Sequence, residues 1–173
     1  MEGNCKDDKY NGAFKVYYKT GELNMEVNMK NHKREGIKRD YFISGELEIE
    51  YNYKDGIRDG LWNKWFRNGQ LKSEGNYIDG EKDGKWVKWY ENGNKKEETT
   101  YIAGKRNGML TVWYENGKAE KEFTFKDGKL DGKLTLWYEN GQIEFESSCK
   151  YGELDGKWTY YNKDGTVKRI EGH

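Results

Sequence analysis

Apolar residues occur along this chain in short runs that alternate with polar residues, and polar turn sequences separate the runs. No segment keeps the i, i+3, i+4 spacing of an amphipathic helix over a helical length. Asn-Gly and Asp-Gly pairs stand between runs, and such pairs are typical of β-hairpin turns. The pattern therefore predicts an all-β chain with strands of about 5–7 residues joined by hairpins. These Asn-Gly and Asp-Gly pairs begin at Asn68, Asn92, Asn116, Asn140, Asp55, Asp79 and Asp127.

The same pattern returns every 24 residues. Each repeat begins at what we call its lead glycine, and a second glycine follows nine residues later. In repeats 2 to 6 a third glycine follows after twenty residues, and in repeat 1 His32 replaces it. Two strands and two turns per repeat predict an elongated, twisted antiparallel meander of seven hairpin repeats, each packed on its neighbours. The lead glycines, which define repeats 1 to 7, are Gly12, Gly36, Gly60, Gly84, Gly108, Gly132 and Gly156.

Three ladders of side chains follow from this repeat. The first ring ladder, five residues after the lead glycine, is Tyr17, Tyr41, Trp65, Trp89, Trp113, Trp137 and Tyr161. The second ring ladder, one residue later, is Tyr18, Phe42, Phe66, Tyr90, Tyr114 and Tyr138. The glutamate ladder, fourteen residues after the lead glycine, is Glu26, Glu50, Glu74, Glu98, Glu122 and Glu146. If the Asn-Gly turns have two residues, Tyr90 pairs with Lys95 and Trp89 with Lys96, and the glutamates share a face with the first ring ladder.

Composition agrees with a fold whose core is built from rings. Only 34% of the residues are hydrophobic and 36% are charged, a balance that would suggest disorder if the net charge were not zero. Aromatic residues, however, make up 16% of the chain, and each can bury about 150–250 Å². We therefore predict a polar N-terminal leader over residues 1–10 and a single repeat domain over residues 11–173.

Several functional classes find no support. No run of residues is apolar enough for a membrane span, and the first residues lack the apolar core of a signal peptide. This favours the cytoplasm, although a chain whose leader had been removed would start in the same way. A pI near 6.8 gives no overall basic field for nucleic acid, and we interpret the local basic patch of residues 30–39 as solvated surface. Cys5 and Cys149 are two reduced thiols in the simpler interpretation, with a single disulfide as the alternative.

The repeats resemble a known family. Residues 83–105 and 131–153 are similar to the MORN repeat variant of the MORN-2 type, whose motif is G-x-W-x-x-W-Y-x-N-G with a later Y-x-D-G. The resemblance extends over residues 11–170. The same signature occurs in bacterial proteins described as YwqK-family antitoxins. The resemblance implies a repeat sheet that contacts proteins or membrane lipids without enzyme chemistry, and the antitoxin relatives imply a toxin as partner. Repeats 1 and 2 depart from it at His32, Lys38 and Asp40.

A second resemblance covers only the last repeat. Residues 155–172 are similar to a choline- or cell-wall-binding repeat, because they combine a Trp, paired Tyr residues and an Asp-Gly turn. Such repeats hold a quaternary ammonium group in an aromatic cage by cation–π attraction. The 24-residue period and the Trp-Tyr-Glu-Asn-Gly core fit the MORN variant better.

No constellation of residues points to catalysis, a metal or a cofactor. The chain has two histidines, His32 and His173, and neither accompanies a nucleophile motif. The glutamates of successive repeats are about 10 Å apart, too far to share one ion, so Lys and Arg on adjacent strands are expected to pair with them. We therefore predict a non-enzymatic scaffold for an unidentified protein partner, with lipid head groups or choline-type ligands as the alternative. The candidate binding residues are Tyr90, Tyr114, Tyr138, Trp65, Trp89, Trp113 and Trp137, and Trp89 and Trp113 are expected to be core while the tyrosines are more exposed.

Overall fold

The computed structural model describes residues 2–6 and 9–172, and all regular secondary structure in this part of the chain is β-strand. The side chain of Cys5 and the whole of His173 lie outside the described part. Contacts divide the chain into two compact units, residues 1–83 with repeats 1 to 3 and residues 84–173 with repeats 4 to 7. The prediction of an all-β antiparallel meander built from hairpin repeats is confirmed.

In the first unit, strands that follow one another in the chain pair antiparallel. These strands are β1 (Glu2–Lys6), β2 (Lys9–Tyr17), β3 (Leu23–Lys30), β4 (Lys33–Tyr41), β5 (Leu47–Lys54), β6 (Ile57–Trp65) and β7 (Leu71–Ile78). Residues 1–10, the predicted leader, include β1 and the first two residues of β2.

The second unit continues the same topology, with neighbours in chain order except that the short β10 pairs with β9 beside β11. Strand β8 (Glu81–Trp89) contributes its residues from Gly84 onward to this unit. The others are β9 (Lys95–Ile102), β10 (Lys105–Arg106), β11 (Gly108–Trp113), β12 (Ala119–Lys126), β13 (Lys129–Trp137), β14 (Ile143–Lys150), β15 (Glu153–Tyr161) and β16 (Val167–Gly172).

The Asn-Gly turn is longer than a two-residue hairpin. The Tyr90 N–H donates to the Asn94 carbonyl at 2.9 Å, and the Gly93 N–H donates to the Tyr90 carbonyl at 3.0 Å. Three residues therefore form the loop, which closes through Gly93 at a φ of 87° as a glycine bulge. The predicted pairing of Tyr90 with Lys95 is wrong for this reason.

The pairing of β8 with β9 is shifted by one residue next to the loop and returns to the predicted register farther along. The predicted face of the glutamate ladder is therefore correct. Trp89 pairs with Lys95 rather than with the predicted Lys96, because the loop has three residues. Lys96 is then left out of the ladder, so that Lys88 pairs with Glu97 and the predicted register returns. Farther along the same strands, Val87 pairs with Glu98. Val87 and Trp89 are two residues apart and so point to one face. The glutamate ladder therefore shares the face of the first ring ladder, which we call the glutamate face.

The second turn of each repeat is a two-residue hairpin. Asp55 and Gly56 have φ of 50° and 86°, as a type I′ turn requires, and Lys54 pairs with Ile57 around them. In repeat 1 the same turn is formed by Asn31 and His32, with φ of 49° and 65°. His32 thus adopts the left-handed conformation that glycine occupies in the other repeats.

Most of the buried side chains lie on the face opposite the glutamates. In the first unit they include Val27 and Tyr53. In the second unit they include Trp86 and Leu110, which occupy the same position in the first strand of their repeats, and Phe145 in the second strand of repeat 6. Cys149 is also buried there as a free thiol, and burial raises its pKa.

The basic patch of repeats 1 and 2 is not simply solvated surface. Lys38 forms an ion pair with Asp40 on the face opposite the glutamates, and its ammonium lies 5.1 Å from the centroid of the Tyr51 ring. Arg39, on the other face, forms ion pairs with Glu26 at 3.3 Å and with Glu50 at 2.8 Å. Lys38 and Asp40, the two polar residues that depart from the family pattern, therefore neutralise each other's charge.

Candidate binding surface

The two ring ladders are joined by hydrogen bonds from one repeat to the next. The Tyr90 hydroxyl donates to the Trp113 backbone carbonyl at 2.8 Å, and the Tyr114 hydroxyl donates to that of Trp137 at 2.7 Å. The Tyr138 hydroxyl makes the same bond to Tyr161 at 2.9 Å. In the first unit, Tyr18 and Tyr41 repeat the arrangement at 2.7 Å.

All seven predicted site residues are half-buried. Trp65 lies in the first unit, and the remaining six lie in the second. The structure thus does not separate a buried tryptophan ladder from an exposed tyrosine ladder. It brings Tyr90 to Trp113 and Tyr114 to Trp137, and burial raises the pKa of both tyrosines.

Cations of the chain itself cover much of the second ring ladder. Lys96 lies 5.0 Å from the centroid of the Tyr90 ring, and Lys163 lies 5.8 Å from that of Tyr138. In the first unit, Arg67 covers Phe42 at 5.3 Å and Lys72 covers Phe66 at 5.0 Å. Because cation–π attraction requires access to a ring face, these rings have one face already occupied.

On the glutamate face, a central row of side chains crosses the first unit from strand to strand. Two of its acidic members, Glu26 and Glu50, form ion pairs with Arg39, which lies between them. The Tyr41 hydroxyl also donates to Glu26 at 2.8 Å, which lowers the pKa of Glu26. Burial and this hydrogen bond raise the pKa of Tyr41 to about 12. In chain order the row is Lys15, Glu26, Arg39, Glu50, Asn63 and Glu74.

The same row in the second unit has a different composition. Its glutamates alternate with Val and Thr rather than with cations, so that the row itself contains no positive charge. Burial works to raise the pKa of Glu98, but the nearby ammonium groups of Lys85 and Lys95 lower it. The Tyr161 hydroxyl donates to Glu146 at 2.5 Å, and this bond raises the pKa of Tyr161. In chain order the row is Val87, Glu98, Thr111, Glu122, Thr135, Glu146 and Thr159.

Both units have an open groove on the glutamate face. The groove of the second unit has a volume of about 470 Å³ and contains Glu146 and Tyr161 together with Lys133 and Lys157. The groove of the first unit, about 230 Å³, contains Glu26 and Arg39. The surface therefore has shallow recesses beside the glutamate ladder in each unit.

Two further series of hydrogen bonds, which the sequence did not reveal, connect successive repeats at the turns. The Asn92 side-chain amide donates to the Glu115 carbonyl at 2.9 Å, and that of Asn140 donates to the Lys163 carbonyl at 2.8 Å. At the other turns, Glu35 accepts a hydrogen bond from the backbone N–H of Asp55 at 2.9 Å. The available signal was the recurrence of a polar residue directly before each lead glycine.

Two kinds of site are not found in the part of the chain that the structure describes. Within residues 11–172, whose side chains the structure describes, no cluster of three His, Cys, Asp or Glu residues could hold a metal ion. No described helix has the length and apolar character to cross a membrane. The groups that the surface does present are rings, carboxylates and ammonium groups.

Comparison with known proteins gives one clear result. The family model described as MORN repeat variant matches five segments that together cover more than half of the chain: residues 10–31, 58–79, 82–103, 106–127 and 130–150. Residues 32–57, which include Lys38 and Asp40, lie outside these segments, whereas most of repeat 1 is matched. No curated protein matches the chain.

Proposed function

This chain belongs to the MORN repeat variant family, and on that premise we propose that it is a non-enzymatic scaffold that binds another protein through its glutamate face. Repeats of this family are commonly scaffolds for protein or membrane interactions, and the repeat is a non-catalytic type.

The observation that carries the proposal is the half-buried row of rings in the second unit. Beside it lie carboxylates, of which Glu122 and Glu146 form no ion pair within residues 11–172. The Tyr90 and Tyr114 rings are held in place by hydrogen bonds from their hydroxyls to the backbone carbonyls of Trp113 and Trp137. Rings that are ordered before binding lose little conformational entropy in a complex. Trp and Tyr are also the residues enriched at energetically important interface positions. These properties support binding of a folded or extended polypeptide.

The alternative is an aromatic surface for lipid head groups or choline-type ligands. A quaternary ammonium group needs free ring faces arranged as a cage. The chain's own cations, such as Lys96 over Tyr90 and Lys163 over Tyr138, occupy faces that such a cage would use. This occupation favours a protein partner over a choline-type ligand.

The resemblance to YwqK-family antitoxins adds a narrower proposal, that the bound protein is a toxin. In that case a toxin gene is expected beside the gene for this chain. Co-expression should then relieve growth arrest caused by that toxin, and the Glu122→Lys variant should relieve it less. Unchanged growth arrest in the presence of the chain would contradict the antitoxin role while leaving the scaffold function open.

The experiment for the main proposal is affinity capture from the source cell with quantitative mass spectrometry. Glu122→Lys changes a charge on the glutamate face, and Glu115→Lys makes the same change at an exposed turn. We expect the partner to be lost with Glu122→Lys and retained with Glu115→Lys. Equal recovery by both variants would remove the glutamate face as the binding site. Saturable binding to phosphatidylcholine vesicles or choline resin would favour the alternative ligand class.

A further inference from the structure

Glu122 differs from Glu98 and Glu146 in having no ion-pair or hydrogen-bond partner among the side chains that the structure describes. It lies directly across from Thr111 on one adjacent strand and Thr135 on the other. Among the side chains of residues 11–172, no cation is within ion-pair distance of it. Lys133 is on the same face of β13, two residues before Thr135, and makes no ion pair in this part of the chain.

In repeat 4, lysine ammonium groups of the chain itself bind Glu98, which corresponds to Glu122. The Lys85 ammonium lies 2.8 Å from Glu98, and the Lys95 ammonium lies 2.7 Å from the other oxygen of the same carboxylate. Lys95 is also 5.8 Å from the centroid of the Trp113 ring. An ammonium group at this position therefore receives both a salt bridge and a cation–π contact.

In repeat 5 the two lysines are replaced by residues without charge. Met109 stands where Lys85 stands in repeat 4, and Ala119 stands where Lys95 stands. The carboxylate and the ring that contact the lysine side chains in repeat 4 are retained in repeat 5, as Glu122 and Trp137. Met109 is 57% exposed, so the place of the missing ammonium groups is open to solvent.

A second observation comes from the neighbouring hydroxyl. Thr135 is only 1% exposed, and its Oγ1 has no hydrogen-bond partner. Its cross-strand partner on the glutamate face is Glu122. A buried polar group without a hydrogen-bond partner destabilises the fold. A hydrogen-bond donor bound at this place would therefore provide a partner for the Thr135 hydroxyl oxygen and for the Glu122 carboxylate.

We propose that Glu122, Thr135 and Trp137 form a site that binds a lysine side chain of a protein partner. The inference rests on the proposed function and names the chemistry of its ligand. Lysine fits because its ammonium has three N–H donors for the carboxylate and the hydroxyl. A quaternary ammonium group has no N–H to donate, so a choline head group would use the ring but not the two oxygens.

The test is an NMR titration with the peptide acetyl-Gly-Gly-Lys-Gly-Gly-amide, followed at the indole N–H of Trp137. The Trp137→Phe variant assigns that signal. We expect a saturable shift with the lysine peptide and none with its Nε-acetyl form. The Nε-trimethyl form should bind at least tenfold more weakly. Equal binding of the trimethyl form would overturn the proposal in favour of a quaternary ammonium site.

Substitutions in repeat 5 supply a second, independent test. Ala119→Lys places an internal ammonium where Lys95 has one, so it should fold normally and abolish the shift at Trp137. Glu122→Gln should also abolish it, whereas Glu115→Gln should not. A shift that persists in Ala119→Lys with normal circular dichroism would overturn the proposal.

The reverse change should create a second site in repeat 4. The double variant Lys85→Met with Lys95→Ala exposes Glu98 and Trp113, and we expect a new saturable shift at the Trp113 indole. Absence of that shift in a folded double variant would count against the proposal. If no lysine peptide binds but Glu122→Lys still loses the captured partner, the lysine site fails and the proposed function stands.

Discussion

The Tyr114 hydroxyl donates a hydrogen bond to the backbone carbonyl of Trp137, 2.7 Å away in the following repeat. The bond joins a side chain of one hairpin to the main chain of the next, across a sequence separation of 23 residues. Because Tyr90 and Tyr138 make equivalent bonds, the second ring ladder has a structural role whatever it binds.

Tyr114→Phe should destabilise the protein by about 1 kcal/mol, since it removes this hydrogen bond and leaves the ring in place. Urea denaturation measures the difference. Tyr151→Phe is the matched control, because Tyr151 is 74% exposed and its hydroxyl makes no hydrogen bond in the described part of the chain. Equal stability of the two variants would show that the bond contributes nothing.

The reciprocal substitution is Phe42→Tyr. Phe42 occupies the same ladder position in repeat 2, where its missing hydroxyl would face the Trp65 carbonyl. We expect a gain of up to about 1 kcal/mol in the free energy of unfolding. A loss of stability would indicate that the repeat geometry in the first unit does not admit the bond.

Gly93→Val should cost about 1–3 kcal/mol, because the loop requires a φ of 87° that a β-branched residue reaches only with strain. Gly117→Val, at a φ of 85°, should behave in the same way. Glu91→Val in the same turn is the control and should change stability by less than about 0.5 kcal/mol. Thermal melting of the three variants gives the comparison, and a parental melting temperature for Gly93→Val would contradict the bulge.

Because of the hydrogen bond between Tyr41 and Glu26, we expect the free energy of unfolding to fall at both acidic and alkaline pH. The pKa of Glu26 is lowered from 4.5 on folding, so its contribution is present above pH 4.5 and is lost as the pH falls through the lower folded value. The pKa of Tyr41 rises from 10.0 to about 12, so its contribution is present below pH 10 and is lost as the pH rises through 12.

The stability difference between the parent and Tyr41→Phe should therefore be largest between these limits and shrink on both sides. Urea denaturation over the pH range measures it. Tyr17→Phe, at the same position of repeat 1, is the control, since the Tyr17 hydroxyl makes no hydrogen bond within the described residues. A difference for Tyr41→Phe that stays constant with pH would contradict the linkage.

Deletion of residues 108–131 should leave a folded protein, because it removes one whole repeat and joins Asn107 to the next lead glycine. Deletion of residues 108–119 should prevent folding. It removes β11 and would bring β9 and β12 together by a short loop, although these two strands run in the same direction and a hairpin joins only antiparallel strands. Circular dichroism and melting distinguish the two outcomes.

The period and the turn residues were enough to predict the hairpins, since Asn92-Gly93 and Asp55-Gly56 both mark turns in the structure. They were not enough to predict the pairing of Trp89. Two-residue and three-residue loops both accept Asn-Gly, and they differ only in which backbone groups form the closing hydrogen bonds. The face of the glutamate ladder was nevertheless right, because the residue absorbed by the bulge precedes the strand segment that contains Glu98.

The links between repeats could not be predicted for a different reason. The acceptors for Tyr90 and Asn92 are backbone carbonyls, and every residue has one. Only the stagger of one hairpin against the next decides which carbonyl lies within reach. By contrast, the ion pairs of Glu98 follow directly from lysines on adjacent strands, as the charge pattern indicated.

A carbonyl acceptor does not depend on the side chain of the residue that carries it. Tyr41, Trp113, Trp137 and Tyr161 all serve as acceptors for the hydroxyl of the preceding hairpin. A gene segment that encodes one whole repeat therefore brings both its donor and its acceptor when it is duplicated. The array can grow or shrink by recombination without compensating mutations at the new junction, and its ring positions are free to diverge towards new partners afterwards.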